Sequence, residues 1–121
     1  MAKILIAEDE RDIRDLVAFS LGHLGHEVIT TADGESALEQ VYSERPDLVL
    51  LDIRMPRLDG YEVCRRIKQD RSLQHIPVAF LSAKGQEAEI KLGLKAGAEE
   101  YILKPFSLDD LIKIVTQLLD A

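Results

Sequence analysis

Leu48-Val49-Leu50-Leu51-Asp52 is a run of four apolar residues closed by one carboxylate. A chain of 121 residues can bury such a run only as a central strand, with Asp52 at its carboxyl end. Two other segments read in the same way. Lys3-Ile4-Leu5-Ile6-Ala7 ends in Glu8-Asp9, and residues 76–81 run up to Ser82. Pro77 lacks an N–H and therefore belongs at the start of that strand. Residues 27–31 and 100–103 are also strand-like, but shorter or more polar.

Between these strands the hydrophobic period lengthens to that of a helix. Ile13, Leu16, Val17, Leu21 and Leu24 form one stripe, with Gly25 placed for a left-handed stop. Ala37, Leu38, Val41 and Tyr42 form a second, with Asp33 as its N-cap and Pro46 beyond its end. Turn residues at Pro56 and Asp59-Gly60 precede a third helix that points Val63, Cys64 and Ile67 inward. A fourth spans residues 87–96, with Gly97 as a cap. Ser107-Leu108-Asp109-Asp110 looks like a capping box for the last helix, whose stripe is Leu108, Leu111, Ile112, Val115, Leu118 and Leu119.

Five strands alternate with five helices, without linker, repeat or low-complexity segment. The expected fold is therefore α/β, a doubly wound parallel sheet in one domain over residues 1–121. Strands buried on both faces lie inside a sheet, so the polar second and fifth belong at the edges. The order 2-1-3-4-5 satisfies this, which is the flavodoxin-like (βα)5 arrangement.

The composition narrows the function. Net charge is −7 and the sequence pI about 4.9, which disfavours direct nucleic-acid binding. Cys64 is the single cysteine, which excludes an internal disulfide and fits a reducing compartment. No apolar run approaches the ~18 residues of a membrane span, and no cleavable signal is visible. A cytoplasmic protein is expected. His23, His26 and His75 are scattered and read as surface residues, and Cys64 as a small core hydrophobe.

Parallel strands bring their carboxyl ends to one side. There stand Glu8 and Asp9, Asp52, Ser82 and Lys104. Strands one and three are neighbours whose helices leave on opposite faces, the switch point where such sheets bind ligands. Three carboxylates beside one ammonium leave excess negative charge. Like charges about 4 Å apart repel by roughly 4 kcal/mol at an effective dielectric of 20, so the cluster must hold a proton or a cation. Oxygen donors with room for water suit Mg2+. A metal-loaded site would then accept an anion such as a phosphoryl group, with Lys104 pairing one oxygen and Ser82 donating to another. A carboxylate can itself be the nucleophile and form an aspartyl phosphate.

Glu8-Asp9, Asp52 within Leu51-Asp52-Ile53-Arg54-Met55-Pro56, Gly60, Ser82-Ala83 and Lys104-Pro105-Phe106 stand in order, four of the five groups at a strand end. Over essentially its whole length the sequence resembles the receiver domains of two-component response regulators, the family that includes the chemotaxis response regulator. The resemblance implies that Asp52 takes a phosphoryl group from a sensor histidine kinase or histidine phosphotransfer protein. Asp9, Asp52 and the backbone carbonyl of Arg54 would bind Mg2+, with Glu8 acting through water. Ser82 and Lys104 would hold the phosphoryl oxygens, and Ser82 and Tyr101 would be the switch residues. The output surface would be helix four, strand five and helix five, available to a homodimer partner or an effector domain. The chain would catalyse only its own phosphorylation and dephosphorylation. A cis Lys104–Pro105 bond is also implied, and Arg54 and Lys84 would flank the phosphoryl group and slow its loss. Glu8 departs from the Asp common at its position.

Other functions fit less well. An aspartyl-nucleophile phosphatase of the haloacid-dehalogenase type needs a second Asp two residues after the nucleophile, where this chain has Arg54. A flavodoxin needs a Ser/Thr/Gly phosphate loop where this chain has Glu8-Asp9-Glu10. A receiver fold that is never phosphorylated and serves as a binding module would not need the complete acidic set.

Overall fold

The computed structural model describes residues 2–82 and 87–120, apart from the side chains of Ser82, Glu87 and Glu89. The elements follow as β1 (Lys3–Ala7), α1 (Arg11–His23), β2 (Glu27–Thr31), α2 (Gly34–Glu44), β3 (Leu48–Asp52), α3 (Gly60–Gln69), β4 (Val78–Ser82), α4 (Glu87–Lys95), β5 (Glu100–Leu103) and α5 (Leu108–Asp120). All pairings are parallel and the order is β2-β1-β3-β4-β5, as expected from the polarity of the strands.

The period of two along the strands divides the core. Val49 and Leu51 of β3 join Leu5, Ala7, Val78 and Phe80 beneath Val41 of α2 and Val63, Cys64 and Ile67 of α3. Leu48 and Leu50 turn the other way, to Ile4, Ile6, Ala79 and Leu81 with Val17 and Leu21 of α1 and Leu111 and Val115 of α5. Every residue of β3 is buried, and removing each leucine from water contributes about 2 kcal/mol.

Local chemistry sets the element ends. The Asp33 side chain accepts from the Ser36 N–H at 2.7 Å and caps α2, and the Asp59 side chain accepts from the Glu62 N–H at 2.9 Å and caps α3. The Ser107 hydroxyl accepts from the Asp110 N–H at 3.0 Å, the forward half of the expected box. Gly25 and Gly97 take φ of +95° and +100°, so both helix stops are left-handed as expected.

Some boundaries and stripes differ from expectation. β4 begins at Val78 rather than residue 76, because the Ile76 N–H is spent on the Leu73 carbonyl and Pro77 offers only its carbonyl, which accepts from Val49. On α1, Ile13, Val17 and Leu21 meet the core at i, i+4 spacing. Leu16, Leu24 and Phe19 are 47%, 49% and 74% exposed, since one side of a single sheet edge covers only a narrow stripe of this helix. Tyr42 is likewise exposed on α2. On α5, Ile114 packs against the core in place of Ile112, and Leu108 lies at the surface. No helix among the described residues is long and apolar enough to cross a membrane.

Candidate functional site

Register assembles the site. Ala7 pairs with Leu51, so Glu8 comes level with Asp52 across the β1–β3 seam. Asp52 pairs with Leu81, and Ser82 with Leu103, so Lys104 is the first residue past β5. In each case the strand ends where its side chains change from apolar to polar. Carboxylate oxygens of Glu8, Asp9 and Asp52 lie within 4.8 Å of one another. Glu8 is completely buried, Asp52 is 8% exposed and Asp9 faces solvent.

Lys104 enters this cluster from just past β5, and the bond that follows it, Lys104–Pro105, is cis. Its Nζ lies 2.7 Å from Glu8 Oε1 and 3.7 Å from Asp52 Oδ1. Glu8 Oε2 accepts from the Glu10 N–H at 3.1 Å, and the Glu8 backbone carbonyl accepts from Arg14 Nη1 at 2.9 Å. Glu8 is therefore held at both oxygens and through its backbone. The sequence singled out neither Glu8 as the nearer partner of Lys104 nor Arg14 as the brace of this loop. The extra methylene of Glu8, relative to Asp, was the available hint for the first; Arg14 follows its site by six residues with no pattern to mark it.

The electrostatics are those of a crowded acidic pocket. Burial pushes the Asp52 carboxyl up to about 7, the charge of Glu8 adds to this, and Lys104 opposes it. For Lys104 burial works against the ammonium, but the contact with Glu8 and the charges of Asp52 and Glu8 leave its pKa above the ordinary lysine value. Among the described residues, Glu8 Oε1 meets no donor apart from the Lys104 ammonium. Three carboxylates with one of their oxygens so placed fit a hard divalent cation, which prefers oxygen donors and retains part of its water.

The loop after β3 completes the surroundings. The Gly60 N–H donates to the Ile53 carbonyl at 2.8 Å, and a Cβ on Gly60 would lie 2.3 Å from the Asp52 carbonyl oxygen. Gly60 is thus needed for close packing of α3 against the residue that ends β3. Arg54 is exposed beside the site. Tyr101 is half-buried, its ring 5.7 Å from that of Phe80, and it rests on Gly93 of α4, where a Cβ would stand 2.6 Å from its Cε2. The Ser82 hydroxyl, Ala83, Lys84 and Gly85 lie outside the described residues.

Comparisons with known proteins identify the family. The sequence profile of the response regulator receiver domain matches residues 4–116. The chain is 44% identical over 105 residues to the alkaline phosphatase synthesis transcriptional regulatory protein PhoP of Bacillus subtilis (strain 168), covering 87% of this chain and 43% of that protein. It therefore spans less than half the length of the curated relatives it matches. Among solved structures it resembles the receiver domain of the Francisella response regulator 1452 with a TM-score of 0.91 and 30% identity, covering 99% of this chain and 98% of the other. The chemotaxis response regulator CheY4 of Vibrio cholerae matches with a TM-score of 0.92 and 30% identity over 98% of both chains. A profile match across nearly all of β1 to α5, together with the carboxylates gathered at the β1–β3 switch point, places the chain in the response regulator receiver domain family.

Proposed function

We propose that the chain is a phosphorylation-controlled signalling switch that accepts a phosphoryl group on Asp52 with Mg2+ as cofactor. The observation that carries this reading is the convergence of Glu8, Asp9, Asp52 and Lys104 on one crevice. Asp9, Asp52 and the Arg54 backbone carbonyl would hold Mg2+, with Glu8 acting through water. When bound, Mg2+ offsets the carboxylate charge and draws charge from the phosphoryl oxygens. An Asp52 carboxylate oxygen forms a bond to phosphorus as the donor's N–P bond breaks, and the imidazole nitrogen retains the electron pair. The donor is the phosphohistidine of a sensor histidine kinase or histidine phosphotransfer protein. Lys104 and the Ser82 hydroxyl take the phosphoryl oxygens.

The response passes to the face formed by α4, β5 and α5. Leu92, Leu94, Leu103 and Leu108 are exposed there, and Tyr101 lies at its inner edge against Phe80. Apolar groups of this kind suit a second copy or an effector domain. The chain is not an enzyme acting on other molecules; it works only on its own aspartyl phosphate, in the cytoplasm.

Incubation with Mg2+ and acetyl phosphate should add one phosphoryl group to the intact mass of the wild type and none to Asp52→Asn. No adduct, together with no response to beryllofluoride, would overturn the reading. Arg54 sits two residues after Asp52 and is exposed at the site, where a long cation hinders attack by water. Arg54→Ala should therefore shorten the half-life of the phosphorylated form by about threefold, measured by the decay of the intact-mass adduct; an unchanged half-life would remove Arg54 from this role.

A further inference from the structure

The segment between β3 and α3 contains the tightest turn in the described residues. The Leu58 N–H donates to the Pro56 carbonyl at 2.8 Å, an i to i+2 bond that closes a three-residue turn. Arg57 at its apex has φ +72°, a region that L side chains seldom occupy. Such a turn persists only when its surroundings hold it.

Those surroundings are the N-terminus of α2. A Cβ on Gly34 would lie 1.8 Å from the Leu58 carbonyl oxygen and 2.9 Å from Leu58 Cβ, so nothing larger than glycine fits. The Gly34 N–H also faces the Pro56 carbonyl at 3.4 Å. Asp33 caps the same helix, and its carboxyl is held below the usual range chiefly by the Ser36 N–H, with the charge of Arg57 adding to this. Met55 and Leu58 press their side chains onto the core beneath α2 and α3. At the other end of the segment, Ile53 is fixed by the Gly60 N–H. Arg54 therefore lies in a short stretch pinned at both ends, at Ile53 by α3 and at Pro56–Leu58 by α2.

Glycine is a poor choice for the first turn of a helix unless something needs its missing side chain. Here the need comes from the turn, which is part of the loop that contains the Arg54 carbonyl. We propose that Gly34 is a positioning residue for the cation site: it seats the strained Pro56–Leu58 turn and so sets where the Arg54 carbonyl points. This rests on the reading of that carbonyl as a cation ligand. It also makes α2, which contributes no ligand, part of the support that determines cation affinity, because supporting groups orient ligands as much as the ligands themselves do.

The test is a titration of the full chain with Mg2+ alone, followed by the amide signals of residues 53–55, 57 and 58 in nitrogen–proton correlation spectra. Gly34→Ala should weaken Mg2+ binding about tenfold and displace the Arg54 and Met55 amide signals before metal is added. Leu58→Ala keeps the turn backbone but removes its anchor in the core, and should weaken binding about threefold. Val41→Ala is the control. Val41 is buried on α2 away from the turn, so this variant should melt lower yet bind Mg2+ as the wild type does. Wild-type affinity in Gly34→Ala, or in Leu58→Ala should Gly34→Ala not fold, overturns the inference. So does an equal loss in Val41→Ala, which would make the effect one of general stability. A wild type that binds no Mg2+ overturns the reading of the site itself, a failure visible before any variant is compared.

Discussion

Without Mg2+, at about pH 8, Asp52→Asn should melt well above the wild type. The Asp52 carboxyl sits near 7 in the folded chain because it is buried beside Glu8, against an ordinary value of 3.8. Between these two values the folded protein holds a proton that the unfolded chain has released, so folding takes up a proton and stability falls as pH rises. The contribution is fully present below 3.8 and is lost as pH passes through about 7. Above that, the wild type carries a buried carboxylate among like charges, whereas the amide does not. The difference is of order 2–4 kcal/mol, or about 10 °C in Tm for a domain of this size. It should close as pH falls below 3.8, where Asp52 becomes neutral in both states. Mg2+ should reverse the order by stabilising the wild type, by about 2.7 kcal/mol when its concentration is a hundred times Kd. Thermal melts over pH with and without Mg2+ measure both effects; equal melting of the two proteins at high pH without metal would contradict the buried-cluster electrostatics.

Lys104→Met should produce the opposite result. Lys104 is the cation 2.7 Å from the fully buried Glu8, and its own side chain is 11% exposed. Removing one partner of a buried pair leaves the other charge without compensation, a cost of about 3 kcal/mol or more. That loss corresponds to about 10 °C in Tm. The double variant Glu8→Gln/Lys104→Met should recover most of it, since methionine beside a neutral amide removes both charges of that pair. A double-mutant cycle read by denaturant unfolding tests this. If Glu8→Gln recovers nothing, the loss comes from packing of the lysine stem rather than from Glu8. Lys104 also lies 3.7 Å from Asp52, so the same variant bears on the phosphoryl contact proposed above.

Much of this molecule can be reasoned from its residues in order. The apolar runs of β1, β3 and β4 are legible because a strand buried on both faces has no polar position to spare, and the polar β2 and β5 then have to be edges. The capping residues Asp33 and Ser107 were legible because helix N–H groups have few local acceptors. Legibility failed where a side chain's fate depended on how much of a helix its neighbours cover. The apolar stripe of α1 included Leu16 and Leu24, yet the sheet edge reaches only Ile13, Val17 and Leu21. Period alone gives a direction around the helix, and the width of the buried stripe is a property of the partners.

The order of the strands and the gathering of Glu8, Asp9, Asp52 and Lys104 at one end of the sheet are legible from the residues in order. Both follow from burial and from parallel pairing, which put every strand's last residue on the same side. The pairing of Lys104 first with Glu8, and the room that Gly34 leaves for the turn at Arg57, emerge only in the folded chain. Those contacts depend on distances of a few ångströms between segments far apart in the chain, and no local pattern encodes a distance across the fold.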